Sequence, residues 1–209
     1  MGWTKINVFL AVALGGVLLS GCGDAGTAEV PASSGKTGAE PMSVLVEAFG
    51  SGATPLVRVD FADDSAWQKV IDEVIRPVNL EDPEAEPTED DYQPHVEQVA
   101  DRHFDGLAPA DIAAEWDRAQ DVAGYALIAD ARSMAEAAAG GEITVVYLDL
   151  TPTPELEAEF GWKYGRSFRT LTSEIASIEA NLSISNMDFD EFADGVDPHD
   201  AVFRGFAEE

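Results

Sequence analysis

Two short apolar runs on either side of an alanine-rich stretch constrain this chain most. They are Tyr125 to Ala129 (YALIA) and Ile143 to Leu150 (ITVVYLDL). Neither is long enough for a helix with one buried stripe, and the second is dense in β-branched residues. A strand that is apolar without alternation is one covered on both faces, which calls for helices above and below a sheet. The alanine-rich segment from Arg132 to Ala139, stopped by Gly140-Gly141, reads as one of those helices.

The flanking chain repeats the alternation. Leu56 to Phe61 reads as a strand, and Asp63 or Asp64 can cap a helix after it. Trp67, Val70, Ile71, Val74 and Ile75 recur at i, i+3, i+4, i+7 and i+8, one apolar face that ends at Arg76-Pro77. His95 to Val99 reads as a second strand. Pro109 opens a helix to about Gln120 that buries Ile112, Ala113, Trp116 and Ala119. Thr151 to Gly165, with its prolines and acids, reads as a surface excursion, and Ser167 to Leu171 as the final strand. Thr172 or Ser173 then caps a helix through Ile175, Ile178 and Leu182, and Asn186 or Ser185 caps another through Phe189 and Phe192. Strands alternating with helices predict an α/β fold: a single domain over residues 54–209, with a mixed or mostly parallel sheet of about five strands and flanking helices.

The start of the chain is of another kind. Lys5 precedes an apolar run from Ile6 to Leu19, shorter than the roughly 20 residues that a membrane span needs. It has the layout of a secretory signal. Ending in Leu19-Ser20-Gly21-Cys22, it resembles the bacterial lipoprotein signal, the lipobox. The resemblance implies a signal peptide over residues 1–21, a diacylglycerol on the Cys22 thiol, and export with the domain held outside the cytoplasm on the cell membrane. Two acyl chains anchor stably where one is marginal. No other cysteine exists to pair with Cys22, so stability must come from a packed core. Residues 22–53, rich in Gly, Ala, Ser and Thr, read as a flexible tether. One island in it, Met42 to Phe49, has the pattern of a short helix or strand lying against the domain. Gly35-Lys36-Thr37 mimics the end of a phosphate loop, but Val30 stands where its first glycine belongs.

The formal net charge of −28 argues against a nucleic-acid partner, because phosphate contacts need clustered Lys and Arg. Its ordinary meaning is a solvated surface. The acidic run Glu81 to Asp91 contains two prolines and no glycine, so it reads as an exposed loop rather than a calcium site. His95, His103 and His199 have no zinc-helix spacing, and Gly165-Arg166-Ser167-Phe168-Arg169 lacks the second glycine of a nucleophile elbow. No cofactor, metal site or catalytic residue is legible.

Two constellations are candidate binding residues. Trp162, Lys163, Tyr164, Arg166 and Arg169 interleave cations with aromatics, as contact surfaces do. The plainer account is that both arginines pair with the abundant acids of an edge strand. Asn181, Asn186 and Asp188, with Ser183 and Ser185 between them, are either helix caps, with Asn181 in a left-handed cap, or the amides of a pocket.

The domain resembles a bacterial family of unknown function. The text that carries the likeness is Gly165 to Arg169, Ile178 to Phe189, Glu191-Phe192-Ala193 and Val202 to Phe206, with weaker likeness at Leu56 to Phe61 and at Phe104, Gly106 and Leu107. The family brings no activity and no site residues. The expected role is a non-catalytic binding or interaction domain whose partner is a protein or an envelope polymer. An immunity or inhibitor protein, its acidity turned against a basic partner, is the alternative. A cryptic hydrolase is the third reading, and it requires a pocket of convergent, pKa-perturbed groups.

Overall fold

The computed structural model describes residues 42–79, 85, 88, 91–116 and 122–206. Cys22, the signal, most of the tether, most of the acidic run, and Ala119 with Gln120 lie outside the described residues.

Six strands make one sheet among the described residues: β1 (Thr54–Arg58), β2 (Val96–Val99), β3 (Tyr125–Ala129), β4 (Thr144–Asp149), β5 (Ser167–Leu171) and β6 (Val202–Phe203). Their order is β2-β1-β3-β4-β5-β6. β1 runs parallel to β2 and β3, β4 is antiparallel to β3 and β5, and β6 is parallel to β5. Five strands therefore point one way and β4 alone is reversed. The α/β expectation holds, with a mixed, mostly parallel sheet.

Period-two alternation divides the strands between two cores. Leu56, Leu127, Val145, Tyr147 and Phe168 face one side, where they meet four helices: α2 (Asp64–Val74), α4 (Ala131–Ala139), α6 (Ile175–Ser183) and α7 (Phe189–Asp194). Val57, Ala126, Ile128, Val146 and Leu148 face the other side, under α1 (Ser43–Gly50), the turn at Phe104, and α3 (Pro109–Glu115). β4 is buried at all six positions, as a strand sandwiched between helices must be. Each fully buried side chain of this size contributes about 1.5–3 kcal/mol.

Local chemistry sets the helix ends. Asp63 caps α2, its carboxylate accepting from the Ser65 and Ala66 N–H groups at 2.8 and 3.1 Å. α4 ends on Gly140 at φ 71°, a left-handed position that costs glycine nothing.

One open alternative is decided and three expectations change. The Met42 to Phe49 island is the helix α1 rather than a strand, with Leu45 fully buried against the domain. The Phe49 ring packs at 5.2 Å edge-on to Trp116 and lies over Gly124, where a Cβ would come within 2.9 Å of it. The excursion after β4 contains a helix, α5 (Pro154–Phe160): Thr153 caps it by accepting from the Leu156 N–H, and Pro154 stands in its first turn. β5 is neither final nor an edge, because β6 adds two residues beside it. Finally, α6 continues past Asn181 to Ser183, Ser185 takes the left-handed position at φ 53°, and Asp188 rather than Asn186 or Ser185 starts α7.

Candidate functional site

α6 carries a break in its own pattern. Ile175, Ile178 and Leu182 form its inward stripe, and Glu179 stands one turn after Ile175 in that same stripe. An acid there is aimed at the sheet. It meets the amino ends of the parallel strands, where Thr54 begins β1, His95 precedes β2 and Tyr125 begins β3. A cavity of about 230 Å³ opens there, walled by these residues with Tyr92, Tyr147, Leu182 and Ser183.

The Glu179 carboxylate is held by neutral donors. The Thr54 hydroxyl donates to Oε1 at 2.8 Å and the Tyr92 hydroxyl to Oε2 at 2.9 Å. No lysine or arginine pairs with it among the described residues. Burial pushes its pKa above the ordinary value, against the smaller opposing effects of the two hydroxyls and His95. The tyrosines respond in kind. Burial raises Tyr92, helped by the Glu179 charge, and pushes Tyr125 up to about 12. Tyr147 is fully buried, and that burial raises it well above the ordinary value. Tyr125 and Tyr147 lie with centroids 5.7 Å apart.

A fully buried carboxylate, Asp149 at the end of β4, pairs in register with Tyr125. It accepts from the Thr151 N–H at 2.9 Å, the Thr151 hydroxyl at 2.6 Å and Arg166 Nε at 2.9 Å. It is a closed ion pair rather than a site.

The sequence-derived candidates fall elsewhere. Arg166 joins Asp149 and, through Nη1, Asp190 at 2.6 Å, with its guanidinium 4.8 Å from the Phe189 centroid and 5.8 Å from Trp162. Arg169 pairs with Asp130 and donates to the Thr144 hydroxyl. A spacing of three along an extended chain turns these arginines to opposite faces of the sheet. They do not form one surface. Trp162 rests against Phe160, Lys163 is exposed, and the Tyr164 hydroxyl donates to the Ala113 carbonyl. Asn186 donates to the Asn181 side chain at 2.7 Å, Asn181 donates to the Ser177 carbonyl, and the Asp188 N–H donates to Glu191. All three residues tie off the α6–α7 turn.

The carboxyl ends of β1 and β3 are the usual ligand crevice of such sheets. Here Arg58 donates to the Asp60 carbonyl and pairs with Asp64, and the Asp130–Arg169 pair lines a shallow cavity of about 470 Å³ in which the acid already has its cation. His95 and His103 lie before and after β2, and His103 pairs with Glu115 at 2.5 Å. Ser183, on the cavity wall, donates to the Ala180 carbonyl rather than facing a base. No three metal-ligating side chains converge among the described residues, and none of their helices is long and apolar enough to cross a membrane.

The fold and cavity define a single α/β domain with a mostly parallel sheet and a small site at the amino ends of its strands. The chain belongs to the DUF6924 family, a domain of unknown function, whose sequence model covers residues 53–206. No curated protein and no solved structure matches it.

Proposed function

We propose that this protein is an exported, lipid-anchored binding protein that takes a small chemical group into the Glu179 cavity. The observation that carries the reading is a desolvated carboxylate, held by neutral donors alone, on the wall of a pocket with three perturbed tyrosines. Convergent perturbed groups in a concavity mark functional sites more often than structural ones. At about 230 Å³ the cavity suits one compact group, free or carried by an envelope partner, rather than a cofactor. The lipobox at Leu19 to Cys22 and its preceding apolar run support the anchor.

What surrounds Glu179 supports binding in place of catalysis. A hydrolase needs a nucleophile hydrogen-bonded to its base, and the nearest hydroxyl nucleophiles are committed: Thr54 to Glu179 and Ser183 to a backbone carbonyl.

Two experiments test this. Screening labelled protein against mixed small fragments should shift the resonances of Thr54, Tyr125 and Ser183, and Ser183→Trp, which fills the cavity, should abolish the shifts. Shifts confined to other surfaces would remove the site. Separately, Cys22→Ser should release the protein from the membrane fraction with its fold intact; a variant still membrane-bound through a processed N-terminus ends the anchor reading.

A further inference from the structure

We infer that the group taken into the Glu179 cavity is a compact organic cation, an ammonium whose charge completes the Glu179 carboxylate between tyrosine rings. The inference rests on the cavity being a ligand site and adds the chemical class of the ligand.

Two observations converge on a positive charge. Glu179 is half-buried and has only the Thr54 and Tyr92 hydroxyls, so its charge lacks the counter-ion that Arg166 gives Asp149. A charge drawn out of water is normally paired. Tyr92, Tyr125 and Tyr147 line the same wall, beside His95, Leu182 and Ser183. Aromatic rings attract cations through their quadrupole, and compact quaternary ammonium groups are bound by such walls.

The alternatives fit less well. An anion would meet Glu179 directly and Asp149 behind Tyr125, and it would enter through the field of a chain with net charge −28. A neutral apolar group would fill the space and leave the carboxylate as unpaired as before. His95, on the cavity rim, is exposed, so water screens its weak pull on Glu179.

The test compares choline with its uncharged isostere 3,3-dimethyl-1-butanol on the wild-type chain, by calorimetry and by chemical shifts at Thr54, Tyr125 and Ser183. The two probes share shape and differ in charge, so the comparison does not depend on any variant folding. Choline should bind at least tenfold tighter. Glu179→Gln, its fold checked by circular dichroism, should weaken choline at least tenfold and change dimethylbutanol less than twofold. Equal binding of both probes, tighter binding of the neutral one, or no choline binding at tens of millimolar overturns the cation. If dimethylbutanol alone shifts the cavity resonances, the cation fails and the binding site stands. If the fragment mixture also leaves those resonances unmoved, the site itself fails.

Discussion

Asp149, fully buried, and Glu179, half-buried, are two carboxylates near Tyr125, and they are treated in opposite ways. Asp149 has a guanidinium and both donors of Thr151, and it is fully buried. Glu179 has two hydroxyls, no cation, and an open cavity before it. Removing a carboxylate from water costs several kcal/mol, which an ion pair offsets only with good geometry. At Asp149 the fold supplies that pairing itself. At Glu179 it is left incomplete, and an incomplete polar site inside a folded domain is where a ligand gains most by arriving. The same contrast separates the two ends of the sheet. At the carboxyl ends, where α/β sheets usually hold ligands, Asp64 and Asp130 are paired with Arg58 and Arg169, while at the amino ends Glu179 faces its cavity without a cation.

The largest effect should come from breaking the complete site. Asp149→Leu leaves Arg166 buried beside Phe189 with one acid fewer, a change worth about 3–5 kcal/mol when one partner of a buried pair is removed. Urea unfolding should show the midpoint falling accordingly. Adding Arg166→Met to the same chain should recover a substantial part of the loss, because no buried charge then lacks its partner. If the double variant is no more stable than the single, the pair is not what makes Asp149 tolerable.

Glu179→Gln should act in the other direction. The folded-state pKa of Glu179 is raised above the ordinary 4.5, so the folded chain holds the proton more tightly than the unfolded one. Its contribution is therefore most favourable below about 4.5 and is lost as pH rises through the folded value. Wild type should lose stability relative to Glu179→Gln across that window, and the two should converge in acid. Comparing the two chains cancels the titration of other groups. Thr54, Tyr92, Tyr125, Tyr147 and His95 face Glu179 in both chains. Thermal melts from pH 4 to 8 check the sign; a gap that widens in acid would mean Glu179 is stabilised as an anion.

How much of this the sequence disclosed differs between fold and site. The continuous apolar run Tyr125 to Ala129 foretells a strand covered on both sides, the β-branched stretch Ile143 to Leu150 a central strand, and the Trp67 to Val74 stripe α2, because burial on a regular element leaves a trace in the sequence. β6 left none: two residues are too few for a period, and Val202 and Phe203 are strand only because β5 offers them an edge. α5 was legible in Thr153-Pro154-Glu155, a cap, a first-turn proline and an acid, but prolines and acids also spell a loop. The arginine–aromatic stretch drew attention because cations are scarce in this chain. Its guanidiniums turn to opposite faces, and only strand geometry could tell that. Glu179 did leave a trace, one acid in the stripe of Ile175, Ile178 and Leu182. It is distinguishable from an ordinary acid on a charged helix only by asking which face it occupies. Its partners come from residues 54 and 92, far away in sequence, and only the folded sheet brings them together.

The smallest effect tests how finely Glu179 is held. Tyr92→Phe removes one of the two donors and leaves the ring on the cavity wall. Tyr92 is partly exposed, so water can replace some of the lost bond, and the stability cost should lie at about 0.5–1.5 kcal/mol. Glu179 should respond more clearly than stability does. A donor to the charged form lowers a carboxyl pKa, so its removal should push Glu179 further up, which a carbon-detected titration of its carboxyl reads directly. On acidification the choline affinity should then be lost at a higher pH than in the wild type, since the anion is the binding form. Thr54→Val should do the same from the other oxygen. If either change leaves the Glu179 titration where it was, that hydroxyl is not holding the carboxylate in solution, and the contrast with Asp149 narrows to the missing cation alone.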